Sequence, residues 1–441
     1  MKGVSRLLTW SSINYLSAGF LILIGLFIVG YIVKIYDIET LGLFALINIF
    51  TVRNGFLSVF DFGVSQMITR GVSKSFLRAH ESSRFIYEVR RMLGVTLISG
   101  LSLMLIGSVI ALFLFQDSLF WLVIIYLLSI PSQFYNYLSA RVLEGAQMIL
   151  LARSLDLISG LSIASCLLFM GTNKYDFTFY LLALSIVSIL LSFVNLLILN
   201  RLLGVPLSVK PRMKLLVTDA EANLFKTSLS ASFYAHYPRF ILMSISNEAL
   251  GIYELAMRVP RFIKFSVSGF SSIIVPLLTP HAYDKTVVGR YLQLTYLYFF
   301  GAISLVVSGL YVFGEEFLVF WVGGSEYLLY FNFGLLWSLI AVALSLGGPF
   351  LIVKNIAYEF MFKVNSRIVL LSFFVTILLL PIFPTLSVYI GSLTGMLFIP
   401  FVMAGYFKFL DVRPSVALVV LVSSSFLFAL TYTISSLISG Y

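Results

Sequence analysis

Five basic side chains lie inside long apolar runs of this 441-residue chain: Arg53, Arg239, Arg258, Arg261 and Lys264. Three acids share that setting, Asp61, Asp156 and Glu254. An ionised side chain in the middle of a membrane helix costs at least about 2.5 to 3.5 kcal/mol, so cations in such runs are expected to face a wet interior and not lipid. A guanidinium offers paired donors that match a phosphate, and cations in excess of acids suit a multivalent anion such as pyrophosphate. On a helix Arg258 and Arg261 share a face, and Glu254 stands one turn before Arg258, which predicts a Glu254–Arg258 pair. His236 stands one turn before Arg239 and is a candidate for a switchable charge on the same face. The competing use of these cations is structural, each tied to an acid or a backbone carbonyl of a neighbouring helix.

The elements that must carry these residues follow from composition. Lys and Arg number 29, Asp and Glu 19 and His 3, while 60% of the chain is apolar. That excludes a disordered chain and argues against a water-soluble globule. Apolar runs recur at 10–33, 41–69, 92–115, 119–142, 154–172, 177–200, 222–246, 250–280, 289–313, 327–353, 366–384, 386–409 and 414–438. Runs of this length that lack alternation predict membrane helices, because in hydrocarbon every backbone polar group needs an internal partner. The first run lacks a signal-peptide cleavage site and is expected to remain as the first span. The lone Cys166 forbids an internal disulfide, and His80, His236 and His281 are too scattered for a zinc cluster, so neither metal nor cofactor is expected.

Basic residues are unevenly placed. The N-terminus, 70–91, 141–153, 201–226, 281–290, 354–367 and 408–413 hold 22 of the 29, and the alternate segments hold two, Lys34 and Lys174. Positive loops stay in the cytoplasm, so the N-terminus is expected there. Topology and anionic lipid then account for most of the net charge of +10, and no nucleic-acid partner is implied.

The chain also repeats. Leu41-Gly42-Leu43-Phe44 and Leu250-Gly251-Ile252-Tyr253 stand 209 residues apart, and the junctions around Gly145 and Asn355 keep nearly the same offset. An even number of spans between copies gives parallel repeats related by an axis along the membrane normal. The expected architecture is an all-α polytopic membrane protein: an N-lobe (1–205), a basic linker (206–221), a C-lobe (222–410) and an extra C-terminal helix (411–441). The lobes have six spans each and face a central cavity. Arg53 plus 209 falls beside Arg261, so each lobe is expected to line that cavity with cations at similar depth.

At this level of detail the sequence resembles the Wzx-type polysaccharide flippases of the multidrug/oligosaccharidyl-lipid/polysaccharide transporter superfamily. The residues that carry the resemblance are Pro238-Arg239-Phe240-Ile241-Leu242, then Ala249-Leu250-Gly251-Ile252-Tyr253-Glu254-Leu255-Ala256-Met257-Arg258 and Val275-Pro276. Leu41-Gly42-Leu43-Phe44, Asp61-Phe62-Gly63 and Arg70 add to it. The resemblance implies a rocking bundle in the bacterial inner membrane. Its implied passenger is an undecaprenyl-diphosphate-linked oligosaccharide of the O-antigen and lipopolysaccharide kind, with polysaccharide polymerase machinery as a candidate partner. Many relatives carry an acid before the basic residue of span 7, where this chain has Pro238, which removes an expected partner of Arg239.

On this reading Arg53, Arg239, Arg258, Arg261, Lys264 and His236 hold the passenger, and Asp61 and Glu254 are candidates for coupling an ion. An exporter of cationic drugs would want acids in place of arginines. A polymerase or ligase acting on the same lipid carrier is the alternative from another class. The outside connections are short for a catalytic loop, and no P-loop, nucleophile elbow or zinc-protease motif occurs.

Overall fold

A computed structural model describes the chain except residues 1, 53–54, 62–63, 66–67, 70, 73–81, 115–116, 147, 174–178, 206–208, 213–218, 265–266, 268–277, 279–283, 351–357 and 411–441. The expected extra C-terminal helix and Arg53 therefore lie outside the described residues. Among the described residues there is no strand. The helices are α1 (Lys2–Ile35), α2 (Ile38–Ile49), α3 (Ser82–Val95), α4 (Ser102–Leu114), α5 (Asp117–Gly145), α6 (Ile149–Asn173), α7 (Phe179–Leu203) and α8 (Asp219–Ile245). They continue with α9 (Asn247–Ala256), α10 (Lys285–Leu294), α11 (Gly301–Val312), α12 (Gly314–Val322), α13 (Leu328–Ser345), α14 (Tyr358–Leu379), α15 (Leu386–Leu393) and α16 (Ile399–Leu410).

Seven helical segments among the described residues are long and apolar enough to cross a membrane: Phe85–Val109, Ile149–Cys166, Leu182–Leu203, Thr286–Val312, Leu328–Phe350, Phe362–Leu379 and Leu386–Lys408. Each coincides with one of the apolar runs read from the sequence. Their outward side chains, among them Leu305, Leu370 and Phe401, are largely exposed, as a lipid-facing surface requires. The fold is thus that of an all-α, multi-pass membrane protein.

Two compact units are present, one of Ser12–Ile28 and Leu46–His236, the other of Met1–Ser11, Val29–Ala45 and Tyr237–Tyr441. In the first, α5 is central. Its Ile130, Phe134, Leu138 and Val142, spaced by one helical turn, pack with Val89, Met92 and Val95. In the second, α13 is buried on all sides from Phe331 to Ala343. These two central helices begin 211 residues apart, Asp117 and Leu328, close to the repeat offset.

Other features recur at equivalent places. A π-helical turn, Thr96–Leu101, joins α3 to α4, and another, Thr295–Phe300, joins α10 to α11. Such turns are rare, and each sits in the third span of its half. The closest sign of two-fold symmetry is a crossing of α2 and α9 within the second unit. A Cβ placed on Gly42 would fall on the carbonyl oxygen of Asn247, and one on Gly251 would fall on that of Ile38. Gly42 and Gly251 stand 209 apart, as do Ile38 and Asn247, so the two helices touch through the same pair of positions read in opposite directions.

The sequence predicts one continuous second span over 41–69, and the structure corrects this. Helix α2 stops at Ile49, and a 3-10 turn, Phe56–Asp61, follows after a break. Local chemistry explains the stop. The Thr51 hydroxyl donates to the Asn48 carbonyl at 2.9 Å, competing with the helical ladder, and Gly55 folds close to the carbonyls of Asn48, Ile49 and Thr51. Two side chains of α5 satisfy the exposed backbone. Tyr126 Oη donates to the Phe50 carbonyl at 2.8 Å, and Gln133 Oε1 accepts from the Val52 amide at 3.2 Å.

The crossing leaves no room for a methyl group, so Gly42→Ala and Gly251→Ala should each destabilise the protein by about 1 to 3 kcal/mol through overpacking. Gly309, where an added Cβ would meet nothing within 4 Å, is the control. Gly309→Ala should leave the unfolding midpoint in detergent unchanged or raised, since alanine is the better helix former.

Candidate functional site

The basic residues of α8 and α9 converge on a single acid. Glu254 lies near the end of α9 and is 2% exposed. A Ser246 side chain that accepts from the Ala249 amide caps the start of this helix. At the other end α9 stops at Ala256, and a turn at Met257 leads into a second helical stretch, 258–264. Pro260 has no amide hydrogen to return to the Ala256 carbonyl, which is the local reason for the break. That carbonyl and the Pro260 ring instead approach Gly334 of α13, where a Cβ would come within 2.6 and 3.0 Å. The break in α9 falls within two residues of the position equivalent to the break in α2. Corresponding interruptions in two halves of a membrane protein are a pointer to a binding site.

Around Glu254 the geometry is tight. Arg239 Nη2 donates to both carboxylate oxygens, at 3.1 and 2.9 Å, and its Nε lies 3.2 Å from Oε2. Arg261 Nη1 donates to Oε1 at 2.6 Å. Arg258 Nη1 stands 3.6 Å from Oε1, an ion pair beyond hydrogen-bonding distance. The local Glu254–Arg258 pair expected from i,i+4 spacing is therefore the weakest of the three contacts. The forked Arg239, arriving from another helix, matches the carboxylate plane, and the turn at Met257 brings Arg261 in ahead of Arg258. Glu254 is thus the acid that partners Arg239. Three guanidiniums on one carboxylate leave a formal excess of two positive charges in this group.

Aromatic rings line the cluster. Arg261 lies over Tyr253 at 5.4 Å and Arg258 over Phe262 at 5.4 Å. Lys264 stands 5.3 Å from the Trp337 ring, a contact that favours a cation in a site poor in water. Tyr389 of α15 packs against Tyr253, with ring centroids 5.5 Å apart, and against Tyr330 at 5.5 Å and Phe333 at 6.2 Å.

The remaining candidates lie elsewhere. His236 is buried and meets the Phe56 ring edge-on at 6.1 Å. Asp61, 4% exposed, closes the 3-10 turn Phe56–Asp61 and accepts from Tyr137 Oη at 3.2 Å. The same hydroxyl is 3.2 Å from Ser65 Oγ, and Arg141 covers the Tyr137 ring at 5.3 Å. From there a chain of ion pairs runs Arg141–Glu144, Glu144–Arg153 and Arg153–Asp156, at 2.8, 3.0 and 3.0 Å. Sequence reasoning placed Arg141 and Arg153 only as loop cations, and it missed Trp337 and Tyr389. The one signal for Tyr389 is the repeat, since Tyr180 stands 209 residues before it and is also fully buried. Among the described residues no three His, Cys, Asp or Glu side chains gather as a metal site.

No family model and no curated protein matches the chain. Solved structures do. The lipid II flippase MurJ in an inward closed conformation is 14% identical over 98% of this chain and 100% of its own, with a TM-score of 0.64. An inward-facing multidrug resistance MATE family transporter of the MOP superfamily is 12% identical over 96% and 95%, with a TM-score of 0.61. The Vibrio cholerae MATE transporter VcmN, in mutant form, is 14% identical over 92% and 98%, with a TM-score of 0.59. At these identities the likeness establishes a shared fold over essentially the whole chain.

Removing the shared acid strands the buried Arg239 and two half-buried arginines, whereas removing the most distant cation relieves repulsion. Glu254→Ala should therefore cost about 3 to 5 kcal/mol, and Arg258→Ala less than about 1 kcal/mol. Unfolding midpoints of the detergent-purified variants check that order.

Proposed function

We propose that the chain is a flippase of the MOP superfamily that moves a polyprenyl-diphosphate-linked oligosaccharide across the bacterial inner membrane by alternating access. The observation that carries the reading is the Glu254 group, in which three guanidiniums share one buried carboxylate. Such a group keeps a positive excess where water is scarce, and paired guanidinium donors fit phosphoryl oxygens. Glu254 holds Arg239 as a scaffold and leaves Arg258, the most distant of the three, to reach toward the diphosphate. Lys264 extends the basic surface, and the equivalent depth of Arg53 in the sequence repeat makes it a further ligand. The fold shared with a lipid II flippase supports a lipid-linked passenger.

In the same reading the halves 1–205 and 222–410, joined by 206–221, are the moving parts, and the N-terminus is cytoplasmic. The oligosaccharide would be an O-antigen repeat unit destined for lipopolysaccharide, handed on to polymerase machinery. No bond in the passenger is made or broken. Ion-coupled export of cationic compounds is the competing use of this fold, and the buried Asp61 speaks for it. A drug cation would be repelled by the Arg group, so the sign of that group favours the diphosphate.

The double variant Arg258→Gln, Arg261→Gln keeps the bidentate Arg239–Glu254 pair and should fold. In cells it should lose surface polysaccharide while protein level stays normal and lipid-linked repeat units accumulate inside. In vesicles reconstituted with labelled lipid-linked oligosaccharide, the wild type should change the label's leaflet and the double variant should not. Wild-type transfer by the double variant would refute the reading.

A further inference from the structure

Among the buried polar atoms of the Glu254 neighbourhood, Arg261 Nη2 and Tyr389 Oη have no hydrogen-bond partner in the protein. Arg261 spends Nη1 on Glu254, which leaves Nη2 to spare. Tyr389 is 2% exposed, and its ring is held by Tyr253, Tyr330 and Phe333. Both side chains touch the Tyr253 ring, Arg261 through its guanidinium and Tyr389 through its ring, so they belong to one neighbourhood. A phenylalanine would satisfy every ring contact that Tyr389 makes. Its hydroxyl adds nothing to this packing, and buried tyrosine hydroxyls ordinarily find a partner.

The chemistry of the two atoms specifies what kind of ligand atom would suit both. A guanidinium nitrogen can only donate, and a phenol beside cations donates readily to an anionic oxygen. The Tyr253 hydroxyl also interacts with the Arg261 guanidinium, but it carries no charge. An oxygen with more than one lone pair and a negative charge would take both the spare guanidinium donor and the phenol donor. A non-bridging phosphoryl oxygen has that charge and those lone pairs. Neither atom reaches solvent in this structure.

We propose that Tyr389 and Arg261 donate to one phosphoryl oxygen of the passenger's diphosphate, which makes Tyr389 a recognition residue contributed by α15. The assignment rests on the flippase reading above and adds to it a neutral donor outside the basic cluster. It also implies a cost in the unliganded protein, where the hydroxyl is buried without compensation.

Tyr389→Phe in the full-length protein tests both consequences, with farnesyl diphosphate as the probe in detergent. The variant's ligand-free unfolding midpoint should equal or exceed that of the wild type, because an unmade hydrogen bond has been removed. Its affinity for farnesyl diphosphate should fall about tenfold, the scale of one hydrogen bond to a charged group. Arg261→Lys should weaken binding too, and the double variant should lose less than the two single losses combined, because both donors serve one oxygen. A lower ligand-free midpoint, failure to fold, or unchanged affinity in Tyr389→Phe would each overturn the assignment. Absence of farnesyl diphosphate binding by the wild type would overturn the flippase reading as well.

Discussion

A single buried carboxylate organises the basic cluster of this molecule. Glu254 takes hydrogen bonds from Arg239 on α8 and from Arg261 beyond the Met257 turn, and it lies within ion-pairing distance of Arg258. Taking four charged groups out of water is costly, and the attraction among them repays that cost only if the geometry is good. The forked contact from Arg239 meets that condition. It ties α8, α9 and the stretch 258–264 to one point, so the positions of the other two guanidiniums follow from the first. An arrangement of this kind contributes little net stability, and its value lies in fixing where positive charge stands.

The two compact units handle buried charge differently. Around α5 and α6, Arg141 and Arg153 alternate with Glu144 and Asp156, and each cation has an acid at 3.0 Å or less. That is the pattern of a structural network. Beyond Tyr237 three arginines share one acid, with rings in place of further carboxylates. The contrast lies in the ratio of acids to arginines, two to two in one network and one to three in the other, and it is what separates a brace from a site for an anion.

Much of this was legible in the sequence because membrane helices are written in local apolar runs. All seven span-length segments among the described residues fall on such runs, and the offset of 209 makes Gly42 and Gly251 equivalent, as it does Ile38 and Asn247, which fits the reciprocal contacts Gly42–Asn247 and Gly251–Ile38. The unreadable features are non-local. The Arg239–Glu254 contact joins two helices, and no spacing rule reports which of three arginines will reach a carboxylate first. The break after Ile49 was hidden by hydropathy, because Phe50, Val52, Phe56 and Leu57 keep the run apolar while Thr51 and Gly55 end the helix. Tyr389 escaped for another reason: a tyrosine among tyrosines carries no signal beyond its repeat mate Tyr180, and the unpartnered hydroxyl is what distinguishes it.

The reciprocal glycine crossing also bears on ancestry. Contacts in which position i of one element meets position j of another, and j meets i, are the mark of an isologous interface between identical subunits. Here both elements belong to one polypeptide. A fused duplicate of a formerly dimeric ancestor would inherit such a seam, and mutation at either glycine would then have to be accommodated by the other copy's backbone. The seam therefore ties the two copies to a shared evolutionary fate at this spot, even as the rest of their sequences drift apart.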